Sequence, residues 1–270
     1  LPGHLDNEVE GAGMRLSEFY HKNRELFDCP ADDMPVMVCM AHSSGYLSVQ
    51  LHPGDEYGLA HDGMRGRPEG WVVLTGPETI RIQLGHKAKT REEFIELAQK
   101  KDWDRLLRYV DMKPGQYVHV PAGTLHAFCK DAIAAAFSVN GDITYRLYDY
   151  DRIDENTGKP RQLHLQQVFD NITVPDNEID CFDPVSEVKN GCRITYFLDE
   201  PKVYTSGRIQ VNGTGTYHTD RFMFFTCAAG SGKINGVDIK GGETLFVPAN
   251  FGALTITGDV DLMYVTYRNE

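Results

Sequence analysis

Four side chains in the first half of the chain have the donor types and spacing of a metal site. Gln50 and His52 flank Leu51 in the alternating run Tyr46-Leu-Ser-Val-Gln-Leu-His, and the two-residue period of a strand puts both on one face. Glu69 opens a β-rich run that closes six residues later before Gly76. Gly115 is followed by five residues, then Pro121, Ala122 and Gly123, then two more residues and His126. The set offers two imidazoles, one carboxylate and one amide oxygen, which a divalent ion accepts when rigid strands bring them together. A lone histidine in apolar sequence is ordinarily a hydrogen-bonded core residue, whereas four donors at matched spacings read as ligands. Imidazole with carboxylate suits zinc, one ion per chain.

The surrounding sequence supplies those strands. Residues 71–74, 80–84, 117–120 and 133–137 are short β-rich runs bounded by turns. Three segments read as helices: 16–27, 165–171, and one that Thr90 caps with Glu93 three residues on. The last pattern carries Phe94 and Leu97, then Trp103, Leu106, Leu107 and Val110. After about Pro175 the reading is all β, with Asn190-Gly191, Asn212-Gly213 and Asn235-Gly236 as hairpin turns between strands at 194–197, 222–226 and 245–247. Lys113-Pro-Gly115, a strand and Pro121-Ala122 recur as Lys240-Gly-Gly242, a strand and Pro248-Ala249. The expected fold is mainly β: two tandem barrels of one kind, with a few helices in the N-terminal half. Residues 1–174 form the metal-binding domain with a helical insertion. Residues 175–270 form a second domain that has lost the ligand set, and the hinge lies between Asn171 and Glu187.

Charge narrows the partners. Across 270 residues, 27 basic and 39 acidic side chains leave a net charge of −12, which repels nucleic acid and anionic membranes but leaves room for a local basic pocket. No apolar run approaches the roughly 20 residues of a membrane span. No secretory leader is visible, and the six cysteines are scattered without a CxxC pair, so a cytoplasmic protein is expected. Oligomeric state stays open.

The donor spacings resemble the two cupin motifs, with Gln50 where a first histidine is usual, an insertion between His52 and Glu69, and Lys130 where an asparagine is common. Longer segments sharpen the likeness. Leu47-Ser-Val-Gln-Leu-His-Pro-Gly-Asp-Glu-Tyr57, Val120-Pro-Ala-Gly-Thr-Leu-His-Ala127, Asp142-Ile-Thr-Tyr-Arg-Leu-Tyr-Asp-Tyr-Asp-Arg152 and Arg161-Gln-Leu-His164 resemble the signature of type I mannose-6-phosphate isomerase. The likeness begins near Leu16 and is densest between Leu47 and His164. It implies two tandem cupin (jelly-roll) barrels, with zinc on Gln50, His52, Glu69 and His126. It also implies an active-site arginine at Arg146, an acid at Asp142, and interconversion of mannose 6-phosphate and fructose 6-phosphate. In such chemistry a Lewis acid polarises the sugar oxygens, an arginine stabilises the developing charge, and a carboxylate or histidine moves the proton.

Three positions depart from that pattern. Arg67 stands where the family has a lysine two residues before the ligand glutamate. Cys39 replaces a lysine eleven residues before the ligand glutamine, and Ala136 replaces a glutamate ten residues before the active-site arginine. The metal cage is complete while the sugar-facing wall is altered. Arg67 and Arg152 remain as cations for a substrate phosphate. Slow or altered isomerisation is the expectation. The alternative is a non-catalytic bicupin that holds a metal and binds or senses a sugar. An iron-dependent cupin oxygenase, allowed by two histidines and a carboxylate, is disfavoured by the long match around Arg146.

Overall fold

A computed structural model describes residues 6–128, 130–154 and 157–270, and the chain is mainly β. Two compact units emerge, each discontinuous in sequence. One joins the described part of Leu1–Met40 with Phe137–Asn140 and Pro184–Glu270; the other comprises Ala41–Ala136 and Gly141–Asp183. The aromatic content of the first segment explains its allegiance to the C-terminal residues. Phe27, buried, sets its ring 5.3 Å from Phe222 and 4.6 Å from Phe246, and the Ala249 N–H donates to the Leu26 carbonyl. Large rings buried together outweigh distance along the chain, because area removed from water sets the gain.

In the 41–183 unit a five-stranded antiparallel sheet runs Tyr145–Tyr148, Val49–Leu51, His126–Ala127, Ile80–His86, Leu107–Met112. The other sheet holds Glu69–Thr75 and Tyr117–Val120, joined by the Ala132–Ala136 and Ala41–Ser43 parts of two longer strands. Cross-strand partners share a face. Arg146 pairs with Gln50, and Gln50 pairs with His126, so one rung carries three of the predicted site residues side by side.

Sequence 53–67 folds back to place Arg67. Helix Asp55–Asp62 follows His52, Asp55 accepts from the Gly66 N–H at 2.9 Å, and the Arg67 N–H donates to the Pro53 carbonyl at 3.2 Å. A Cβ on Gly66 would sit 2.4 Å from the Pro53 oxygen, so the close return requires glycine there.

The other unit contains a seven-stranded antiparallel sheet. Its order is Ser186–Lys189, Cys192–Glu200, Tyr204–Thr219, Gly252–Thr266, Met223–Ile234, Val237–Lys240, with Thr244–Val247 also on Met223–Ile234. The repeat read from sequence is a shared local structure. In one unit the Gln116 N–H donates to the Lys113 carbonyl and the Gln116 side chain accepts from the Lys113 N–H; in the other, Glu243 and Lys240 make the same two bonds.

Several expected elements differ. The 16–27 helix is two, Leu16–Lys22 and Arg24–Phe27, because the Asn23 backbone leaves the helical region and its amide donates to the Phe19 carbonyl. Thr90 caps Arg91–Gln99 as expected, accepting from the Glu93 N–H at 3.1 Å. That helix does not continue: Lys101 is left-handed, Asp102 starts the short helix Trp103–Leu106, and Leu107 and Val110 lie in a strand against Ile80–His86. Asn190-Gly191 and Asn235-Gly236 are turns with positive φ. Asn212-Gly213 is not a turn, although Gly213 has a positive φ; it lies inside Tyr204–Thr219, paired with Asp259 and Gly258. Helix Leu165–Asn171 stands where expected. Among the described residues no helix is long and apolar enough to cross a membrane.

Candidate metal centre and active site

His52, Glu69 and His126 are buried, and one donor atom from each lies within 4.8 Å of the others. The His52 Nδ1 donates to the Ile143 carbonyl at 2.6 Å and the His126 Nδ1 to the Thr124 carbonyl at 2.9 Å. Those bonds fix the tautomer and leave both Nε2 atoms as lone pairs facing inward. Each Nε2 sits 3.4 Å from a Glu69 oxygen and has no hydrogen-bond partner among the described residues. Three potential electron-pair donors thus converge on one buried point with neither Nε2 hydrogen-bonded among the described residues, so the residues present fit a bound metal.

Electrostatics agrees. Burial pushes the His126 imidazole down to about 4, keeping it neutral. Burial by itself raises the Glu69 carboxyl, but His52, His126 and the Arg67 guanidinium overcome it and hold it well below the usual carboxylate range. Trp71 donates its indole N–H to Glu69 Oε1.

The remaining predicted residues fall in two places. Gln50 is half-buried on the rung beside His126, and its side-chain oxygen accepts the Ser48 hydroxyl at 3.0 Å. Arg67 bridges the cluster to Asp142, with Nε 3.3 Å from Glu69 and a terminal nitrogen 3.8 Å from Asp142. Arg146 shares the rung of Gln50, and its buried Nε has no hydrogen-bond partner among the described residues. Arg152 stands apart: it donates to the buried Asp149 carboxylate, which Arg161 also holds, and to the Tyr46 carbonyl.

Of the other two positions that depart from the family pattern, Cys39 is exposed and Ala136 half-buried. Ala136 packs against the apolar cluster containing Trp71 and Phe128.

No protein-family model matches the sequence, but whole-chain relatives do. A probable mannose-6-phosphate isomerase of Bacillus subtilis (strain 168) is 33% identical over 259 residues, covering 93% of this chain and 81% of that protein. The mannose-6-phosphate isomerase of Streptococcus mutans is 31% identical over 266 residues, covering 96% and 82%. The chain belongs to the mannose-6-phosphate isomerase family. Its fold is that of the solved Bacillus subtilis mannose 6-phosphate isomerase, with a TM-score of 0.89 at 31% identity over 96% of this chain and 83% of that one. A zinc-bound mannose 6-phosphate isomerase shares the fold at 13% identity, with a TM-score of 0.72 over 94% of this chain and 86% of that one.

Sequence reasoning missed Trp71, which donates to Glu69, as part of the site's frame. For Trp71 a signal existed: it lies two residues after Glu69 on the same face, and a buried indole N–H needs an acceptor.

Proposed function

We propose that this chain is a zinc-dependent aldose–ketose isomerase that interconverts mannose 6-phosphate and fructose 6-phosphate. The observation that carries the reading is the inward-facing His52, Glu69 and His126 donor set, drawn from two sheets, with Gln50 and Arg146 on the same rung as His126. Gln50 is the fourth ligand. His52 Nε2 lies 3.4 Å from Glu69 Oε2 and His126 Nε2 3.4 Å from Glu69 Oε1, and one donor atom from each residue lies within 4.8 Å of the others, so these residues would hold a small divalent ion between them. The donor chemistry, two imidazoles with a carboxylate and an amide oxygen, suits zinc.

When bound, the metal supplies a Lewis acid that polarises the oxygens on the two exchanging carbons. Arg146 brings an unspent donor beside them and stabilises the negative charge that develops as the enediol forms. Asp142, exposed and oriented by Arg67, is a carboxylate able to take a proton from one carbon and return it to the neighbouring one. Arg67, against Glu69 and Asp142, is the cation for the 6-phosphate that adjoins the cluster; Arg152 joins it only by releasing Asp149 and the Tyr46 carbonyl. Because Cys39 and Ala136 carry no charge, turnover is slow or shifted toward a related sugar phosphate. The same Ala136, walled against apolar side chains, favours a second reading, a metal-containing bicupin that binds a sugar without turning it over.

The test is direct. Metal-loaded protein is incubated with fructose 6-phosphate, and mannose 6-phosphate is followed before and after chelation. Mannose 6-phosphate formed only by the metal-loaded protein supports the isomerase. Saturable sugar binding with no product supports the second reading.

A further inference from the structure

Arg146 lies on Tyr145–Tyr148, the outermost strand of its sheet. An outer strand leaves backbone groups without a neighbouring strand. At Arg146 both are taken by one residue from far along the chain. The His164 N–H donates to the Arg146 carbonyl at 2.8 Å, and the His164 ring Nδ1 accepts the Arg146 N–H at 3.2 Å. His164 thereby does the work of a partner strand for one residue. It is also the residue from which helix Leu165–Asn171 starts, its carbonyl accepting the Val168 N–H.

The ring contact has a chemical consequence. A ring nitrogen that accepts a backbone N–H carries no proton, so His164 is the neutral tautomer protonated at Nε2. Burial and the Arg146 charge both lower its proton affinity, which keeps that acceptor available near neutral pH. On its other side the Arg146 strand pairs with Val49–Leu51, with Arg146 opposite Gln50. The strand is thus held by its sheet neighbour on one side and, at Arg146, by His164 on the other, and a long side chain reaches a fixed point only when its backbone is fixed.

We infer that His164 is a positioning residue for Arg146: its imidazole Nδ1 holds the Arg146 peptide so that the guanidinium stays over the metal-side rung. The inference rests on the assignment of Arg146 to turnover made above. The backbone half of the grip is open to any residue, but the ring half needs an acceptor at the Nδ1 position. Asparagine places its Oδ1 there, glutamine places its amide one bond further out, and alanine offers nothing.

The experiment compares His164→Asn, His164→Gln and His164→Ala in the metal-loaded full chain, with Arg146→Lys alone and combined with His164→Ala. kcat and KM for fructose 6-phosphate and the thermal midpoint are measured for each. Expected are a kcat loss of about tenfold in His164→Ala with KM within twofold, a similar loss in His164→Gln, and recovery to within about threefold of the parent in His164→Asn. Once Arg146→Lys has displaced the guanidinium, adding His164→Ala costs little more. Equal kcat in the asparagine and glutamine variants overturns the inference, and so does a tenfold loss that repeats in full on the Arg146→Lys background. If His164→Ala does not fold, the asparagine–glutamine pair still decides. Normal turnover by Arg146→Lys strikes instead at the role of Arg146, and the positioning role falls with it; a loss in Arg146→Lys with all His164 variants fully active strikes at His164 alone.

Discussion

The Trp71 indole N–H donates to Glu69 Oε1 at 2.9 Å, one turn of strand pleat away on the same face. Trp71 is buried, and its ring also lies 5.5 Å from that of His126 in an edge-on arrangement. One side chain thus orients the carboxylate and packs on an imidazole of the same donor set. Groups that hydrogen-bond metal ligands commonly change metal affinity by about 10–100-fold when removed. Trp71→Phe keeps the packing and deletes the donor. Zinc affinity, measured by competition with a chromophoric chelator, is expected to fall by about tenfold or more while the metal-free protein melts within a few degrees of the parent. Unchanged affinity means that the indole only fills space.

Metal removal exposes a pH dependence with a definite sign. In the metal-free protein burial holds His126 at about 4, against an ordinary 6.5. The unfolded chain therefore binds a proton at that position that the folded chain refuses. The contribution is fully present above pH 6.5 and is lost as pH falls toward 4, a difference of about 3 kcal/mol. The thermal midpoint of chelated protein is expected to fall steeply across that window, and less steeply in His126→Asn. Zinc binding must weaken over the same acid range, because a protonated imidazole cannot ligate. Parallel midpoint curves for the parent and His126→Asn would remove His126 as the titrating group.

The members of the His52, Glu69 and His126 cluster were legible in sequence because strand periodicity and residue type are both local. His52 needed only an alternating run, and His126 only a fixed spacing from Gly115. What joins them is not local. Nothing in the order of residues says that Arg146 and His126 flank Gln50, since that depends on which strands become neighbours. Asn212-Gly213 has the composition of a turn, yet the long pairing of Tyr204–Thr219 with Gly252–Thr266 runs straight through it. Tertiary pairing overrode a local preference there. Likewise Leu107 and Val110 fit a helical period, but pairing with Ile80–His86 takes them as strand residues. The aromatic residues of the first segment gave no hint that Phe27 packs with Phe222 and Phe246.

Arg67 offers a way to separate metal binding from turnover. Its Nε faces Glu69 at 3.3 Å and a terminal nitrogen faces Asp142 at 3.8 Å, so it places a positive charge between the donor set and the exposed acid. A cation beside a metal site opposes the metal, while the same cation favours an anionic substrate or transition state. Arg67→Met is expected to bind zinc at least as tightly as the parent and to lose tenfold or more in kcat/KM. Arg67→Lys keeps the charge but not the planar donor geometry and should fall between them. Zinc loss in Arg67→Met would make the residue structural, and full turnover would exclude it from the reaction.

The last prediction tests the altered wall. Cys39 is exposed on its strand, so a lysine there meets no steric barrier. Ala136 is half-buried against Trp71, Phe128 and their neighbours, so a glutamate there must turn its carboxylate toward the open side and costs some stability. A lysine supplies a charge-assisted contact to an anion, and the glutamate supplies a second proton-transfer group. If these two absences are what slow the chain, Cys39→Lys with Ala136→Glu raises kcat/KM for mannose 6-phosphate by about tenfold, equivalent to about 1.4 kcal/mol of transition-state stabilisation. The measurement pairs kcat/KM with the thermal midpoint, so that a gain masked by partial unfolding is seen as a lowered midpoint and corrected by assaying well below it. A parent that already turns over rapidly, with the double variant no faster, shows that turnover needs neither charge.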